Sequence, residues 1–171
     1  ETLSQNQPAL TIKPLPLDNP ATDNKSETAM QALGFELGSR RADVLVIIEK
    51  MQLPVEDLGS ELRAKGLILG MNANISWAFR NDRLYTIVSR WIDITNRMTL
   101  HDNDVYRALS DRYGAIDEEN SGTSYVRWTN ESSYVELSYA QSKLKVRNAP
   151  HQLTLTAKLY TIPAIENSES Q

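Results

Sequence analysis

The sequence predicts an α+β fold in which two units, each a helix followed by an antiparallel hairpin or meander, form one compact domain behind a disordered N-terminal tether. Two short stretches, near 39–53 and 102–114, repeat apolar residues at helical spacing. Each leads into segments where apolar and polar residues alternate, as half-buried strands require. Residues 1–29 do neither. Pro8, Pro14, Pro16 and Pro20 recur there among Gln, Asn, Asp, Ser and Thr, so the segment lacks backbone donors and has little to bury. The domain is expected over 30–163, with a pseudo-repeat of about 60 residues covering 34–95 and 98–161. Residues 164–171 are expected to fray.

The first helix is predicted within "GFELGSRRADVLVIIEKMQL". Ser39 is placed to cap it, Val44, Ile47, Ile48 and Met51 share one face, and Pro54 ends the pattern. Gly34 and Gly38 bracket "FEL", a candidate strand. "VEDLGSELRAKG" reads as a weaker helical piece stopping at Gly66, with "LILG" a candidate short buried strand. "NANISWAFRNDRLYTIVSRWIDI" is a hairpin, because Ile75, Trp77 and Phe79 alternate and Asn81-Asp82 supply the turn. A two-residue turn would face Phe79 with Leu84 and Trp77 with Thr86; a three-residue turn would face Phe79 with Tyr85 and Trp77 with Ile87. The second helix is predicted in "LHDNDVYRALSDRYG", capped by Asp102, with Tyr106, Leu109 and Tyr113 on its apolar face and Gly114 at its end. "AIDEENSG" is expected to be a polar loop, followed by strands near 123–129, 133–140, 143–148 and 152–161.

The stretch "SYVRWTNESSYVELSYAQSKLKVRN" carries the first candidate site. Parity sends Val126, Trp128, Val135, Leu137 and Tyr139 to the core and leaves Tyr125, Arg127, Tyr134, Lys143, Lys145 and Arg147 to share the outer face. Turns at Ala140-Gln141 or Gln141-Ser142 would pair Glu136 with Lys145 or with Arg147. Tyrosine and arginine together are the types enriched at protein interfaces, while the same charges also suit an ordinary solvated face. Arg40 and Arg41 are the second candidate site. They stand in a first helical turn, where the dipole disfavours cations, so either an acidic partner or a neighbouring carboxylate such as Asp43 or Glu36 must balance them.

Bulk composition narrows the remaining classes. The 171 residues carry a formal net charge of −4, which offers no attraction to nucleic acid or anionic lipid. With no cysteine, disulfides, thiolate chemistry and cysteine-based zinc sites fall away. His101 and His151 form no metal-binding spacing, and "AIDEENSGTSY" lacks the ligand order of a calcium loop, so no metal or cofactor is expected. "GTS" is no nucleophile elbow, "GLILG" is no phosphate loop, and His101 with Asp102 and Asp104 lacks a nucleophile beside it. Three Asn-x-Ser triplets, at Asn24, Asn74 and Asn130, fit chance in so Asn- and Ser-rich a chain. A non-enzyme is expected.

The "G-x-x-x-x-x-V" helix followed by "F-x-N-D-x-L" (Phe79 to Leu84) resembles the helix–hairpin unit of the SmpA/OmlA lipoprotein domain, and the unit in tandem resembles the β-lactamase-inhibitor-protein fold. The family's Gly-Met-Thr helix start is "GSRRAD" here, and the inhibitor's disulfides have no counterpart, so no site residue carries over. The tether is similar to the spacer that follows the lipidated cysteine of a bacterial lipoprotein; the other reading is a plain linker or loose terminus. The resemblance implies an exported protein, periplasmic or anchored at the outer membrane of a bacterium, touching the membrane only through a lipid anchor. It implies a protein partner in the cell envelope, with the chain acting as assembly factor, inhibitor or immunity protein. A structural envelope component is the alternative, and a hydrolase using a carboxylate pair comes third.

Overall fold

A computed structural model of the chain describes residues 30–94, 100, 101, 103–120, 124–140 and 151–166, with side chains at all of these except 92–94. A small hairpin of β1 (Gln31–Ala32) and β2 (Phe35–Glu36) precedes α1 (Arg41–Lys50). Next come β3 (Val55–Asp57), β4 (Glu61–Ile68), β5 (Met71–Arg80) and β6 (Arg83–Ile94). Then α2 (Asp104–Tyr113) leads into β7 (Glu118–Asn120), β8 (Tyr125–Thr129), β9 (Ser133–Ala140) and β10 (His151–Leu159). Strands β3 to β10 form one antiparallel sheet in the order β3-β4-β5-β6-β10-β9-β8-β7. Four strands therefore follow each helix, and β6 and β10, the last of each set, pair at the centre with Val88 opposite Thr156. Both edges are three-residue strands whose residues are all exposed, "VED" in β3 and "EEN" in β7.

The α+β class stands, with far more of the chain in strands than the helix-and-hairpin pattern predicts. The segment expected to be a weak helix ending at Gly66 is β3, a turn and most of β4. Glu61, Arg63 and Lys65 favour helix by type, yet they alternate with the inward positions Leu62, Ala64 and Gly66, and the pairing of β4 with β5 realises that period of two. Gly66 allows close approach rather than stopping anything: a Cβ there would lie 2.4 Å from Cδ2 of Leu53. Leu69 and Gly70 both take positive φ (52° and 75°), as a two-residue hairpin turn needs, so "LILG" is a strand end and a turn. The expected polar loop after α2 contains β7, which has no apolar residue to announce it.

Both helix starts differ from expectation. Arg40 rather than Ser39 precedes α1, and it makes no side-chain cap. The hairpin takes over that role. Asp82 O accepts from the Arg41 N–H at 3.0 Å, and Ser39 O accepts from the Leu84 N–H at 2.8 Å. For α2 the cap is Asn103, whose Oδ1 accepts from the Tyr106 N–H at 2.8 Å while its Nδ2 donates to Leu100 O at 2.9 Å. Asp102, the expected cap, lies outside the described residues.

The β5–β6 hairpin combines the two predicted registers. Phe79 faces Leu84 across a two-residue turn, but Trp77 faces Ile87, because Tyr85 is an extra residue in β6. The bulge keeps Leu84 and Ile87 on one side, where both are fully buried. The last hairpin departs from its predicted form. Leu137 pairs with Leu155 of β10 and Val126 of β8, so both sides of β9 are occupied, and Glu136 faces Arg127 and Thr156 rather than Lys145 or Arg147. The strand expected at 143–148 lies outside the described residues.

One face of the sheet supplies the core. Trp77, Trp91, Trp128, Ile75, Leu137 and Leu155 are buried there together with Val44 and Ile48 of α1 and Val105 and Leu109 of α2. Tyr106 and Tyr113 of α2 lie against Trp128, and Phe35 of β2 meets Trp77 edge-on at 5.2 Å. The Trp91 indole N–H donates to Ile68 O at 3.1 Å. Ser89 is also fully buried, and its hydroxyl finds no partner among the described residues.

Candidate docking face

Both helices and the β1–β2 hairpin pack on the core side, so among the described residues no element covers the opposite face of the sheet. Strand register sets that face in rows. One row takes a residue from every strand: Glu56, Arg63, Ser76, Val88, Thr156, Glu136, Arg127 and Glu118, in sheet order. The next row runs Lys65, Asn74, Arg90, Thr154, Ser138, Tyr125 and Asn120.

Three predicted site residues meet at the β8–β9 end. Arg127 lies over the rings of Tyr134 at 4.7 Å and Tyr125 at 5.3 Å, which is cation–π distance. Its Nη2 and Nε donate to one oxygen of Glu136 at 2.6 and 3.1 Å, and its Nη1 donates to Glu118 at 3.3 Å. The Tyr125 hydroxyl donates to the other oxygen of Glu118 at 2.5 Å, and this bond holds the phenol pKa above its ordinary value. Desolvation works against the Arg127 charge, but the bond to Glu136 and the nearby carboxylates outweigh it and raise the pKa. Tyr134 also meets Tyr160, just past β10, at 5.6 Å. Lys145 and Arg147, as well as Lys143, lie outside the described residues.

Arg40 and Arg41 do not join this face. Arg41 Nη2 reaches Asp57 Oδ1 at 2.5 Å and its guanidinium stands over the Phe79 ring on the core side. That bond, with the Gly59 N–H, lowers the Asp57 pKa. Arg40 pairs with Glu166 at 3.0 Å, and Glu166 also pairs with Arg83. The balancing carboxylates are thus Asp57 and Glu166, not Asp43 or Glu36. Residue 166, in the expected fray, is tied here together with Pro163, whose carbonyl accepts from Asn81 at 2.7 Å.

The other end of the face holds residues that the sequence reading passed over. A groove of about 680 Å³ opens across β3 to β6, lined among others by Glu56, Glu61, Arg63, Lys65, Asn74 and Arg90. Glu61 accepts from Arg63 Nε and Nη2 at 2.8 and 3.1 Å, which pulls its pKa down. Reading 55–66 as helix hides this groove; the alternation from Glu61 to Leu67 was the available signal.

His101 Nε2 lies 3.0 Å from Glu119, with both side chains half exposed. Among the described residues there is no group of three potential metal-ligating His, Asp or Glu side chains, and no helix is long and apolar enough to cross a membrane. No protein-family model, curated protein or solved structure matches the chain.

Proposed function

We propose that the chain is a non-catalytic cell-envelope protein that binds another protein through the outer face of its sheet, as an assembly factor, inhibitor or immunity protein. The observation that carries this reading is the unequal cover of the two faces. Both helices lie on one side, and the other side, eight strands wide, carries tyrosines and arginines with a groove at one end. Those side-chain types are favoured at protein interfaces, where rigid aromatic area and guanidinium forks form contacts at small entropic cost. In this reading α1 with β3–β6 and α2 with β7–β10 are equivalent helix-plus-meander units, which makes Arg63 the counterpart of Arg127 and Glu56 of Glu118. The chain is exported, and residues 1–29 are the spacer between the domain and a lipid anchor. The acidic three-residue edges weigh against the alternative, a structural component that grows by pairing sheet edges.

The test uses the immobilised full chain, a Val88→Arg/Thr156→Arg variant that fills the centre of the outer face, and an Asp111→Arg variant on exposed α2. An envelope protein retained in stoichiometric amount by wild type and Asp111→Arg, and lost by a still-folded Val88→Arg/Thr156→Arg, supports the reading. Equal retention by all three moves the site off the sheet.

A further inference from the structure

Cations on the outer face differ in what holds them. Glu61 clamps Arg63, Glu118 and Glu136 clamp Arg127, and Lys158 lies over the Tyr85 ring at 5.4 Å. Lys65 and Arg90 are exposed, and among the described residues neither has an ion-pair partner. They flank Asn74 in one cross-strand row, Lys65 opposite it from β4 and Arg90 opposite it from β6. Strand spacing sets their backbones about 10 Å apart, a gap that two long side chains close around an anion above Asn74. The groove lies over these three residues. Leu67, 66% exposed and two positions along β4, gives the seat an apolar flank.

We propose that Lys65, Asn74 and Arg90 form a carboxylate seat that takes an acidic side chain of the partner protein, with an apolar neighbour of that side chain packing on Leu67. The inference rests on the docking-face reading and names the chemistry of the partner. Charge complementarity argues for it: two cations flank Asn74 with no carboxylate at ion-pair distance among the described residues, and Glu61, which feels the Arg90 charge at longer range, is already bonded to Arg63. Arginine offers a planar fork to a carboxylate, lysine a point charge, and the Asn74 amide a neutral donor. Arg127 is not the anchor, because Nε, Nη1 and Nη2 are already committed to Glu118 and Glu136.

The experiment is an amide-resolved NMR titration of the full chain with the capped peptide Leu-Glu-Leu, its Leu-Gln-Leu counterpart, and inorganic phosphate. Wild type, Lys65→Gln/Arg90→Gln and Arg127→Gln are compared. The glutamate peptide should shift the amides of Lys65, Asn74 and Arg90 and fade as salt rises. Lys65→Gln/Arg90→Gln should weaken it by about tenfold or more, since both charge-assisted bonds go, while Arg127→Gln leaves it unchanged. No shift, an equal response to the glutamine peptide, or a response centred on β8 and β9 overturns the seat. Phosphate matching the glutamate peptide overturns the carboxylate assignment in favour of a general anion site. A peptide response without capture of a protein partner overturns the docking-face reading but not the seat chemistry. Capture that survives Lys65→Gln/Arg90→Gln overturns the seat but not the face.

Discussion

On β8 and β9 one arginine of the outer face, Arg127, sits between two tyrosine rings and two glutamates; on β4 and β6 the cations Lys65 and Arg90 look into an open groove. The same sheet, built from the same order of elements, has one end closed on itself and one end with charge to offer. The difference comes from a few side chains. Glu136 and Glu118 stand across from Arg127, whereas Asn74 stands between Lys65 and Arg90 where a carboxylate would neutralise both. A closed network stiffens a surface, and an open one leaves charge available for recognition.

The core beneath both ends sets the largest expected effect. Trp77→Ala under β5 and Trp128→Ala under β8 should each cost about 3–5 kcal/mol, as loss of a large buried aromatic does. Because β6 and β10 pair along the sheet centre, both variants should still unfold in one step in urea. Two separated transitions by fluorescence and circular dichroism would mean that the ends fold independently. The surface contrast comes next. Arg127→Ala should cost about 1–2 kcal/mol, since it strips the stack from Tyr125 and Tyr134 and leaves Glu118 and Glu136 facing each other. Arg90→Ala should stay within about 0.5 kcal/mol of wild type. Equal losses in urea would erase the distinction between a closed and an open end.

Ser89→Ala, between the two ends, should be neutral or stabilising by up to about 1 kcal/mol, because it removes a buried hydroxyl that has no partner among the described residues. A loss above that would show that the hydroxyl is bonded after all. The smallest effect is in acid. Glu61, held below its usual 4.5 by the Arg63 hydrogen bond, stabilises the fold above that value, and the contribution is lost as pH falls through the lowered pKa. Carbon-detected titration should find the Glu61 pKa raised toward the ordinary carboxylate range in Arg63→Gln.

The sequence shows some of this arrangement more clearly than the rest. Asn81-Asp82 and the run Ile75, Trp77, Phe79 announce β5 and β6, because turn chemistry and parity agree there. The register splits between the two predicted forms, since parity cannot reveal that Tyr85 is inserted. Residues 55–66 mislead because Glu, Arg and Lys favour helix by type while their spacing favours strand; tertiary pairing decides for spacing. Tyr125, Arg127 and Tyr134 are legible as outer-face residues from alternation alone. Their closure by Glu118 is not, because "DEEN" gives no strand signal. Lys65 and Arg90 lie 25 positions apart in the chain, and only the registers of β4, β5 and β6 bring them to either side of Asn74.

The two short outermost strands have a consequence for how the molecule behaves at high concentration. Glu56 and Asp57 at one margin and Glu118 and Glu119 at the other give each open ladder a carboxylate fence. A second copy approaching side-on at neutral pH meets like charge before it can form a backbone bond. Removing that charge by Glu56→Gln/Glu119→Gln should therefore raise self-association in light scattering at neutral pH, through two strands of three residues rather than through the net charge of the whole chain.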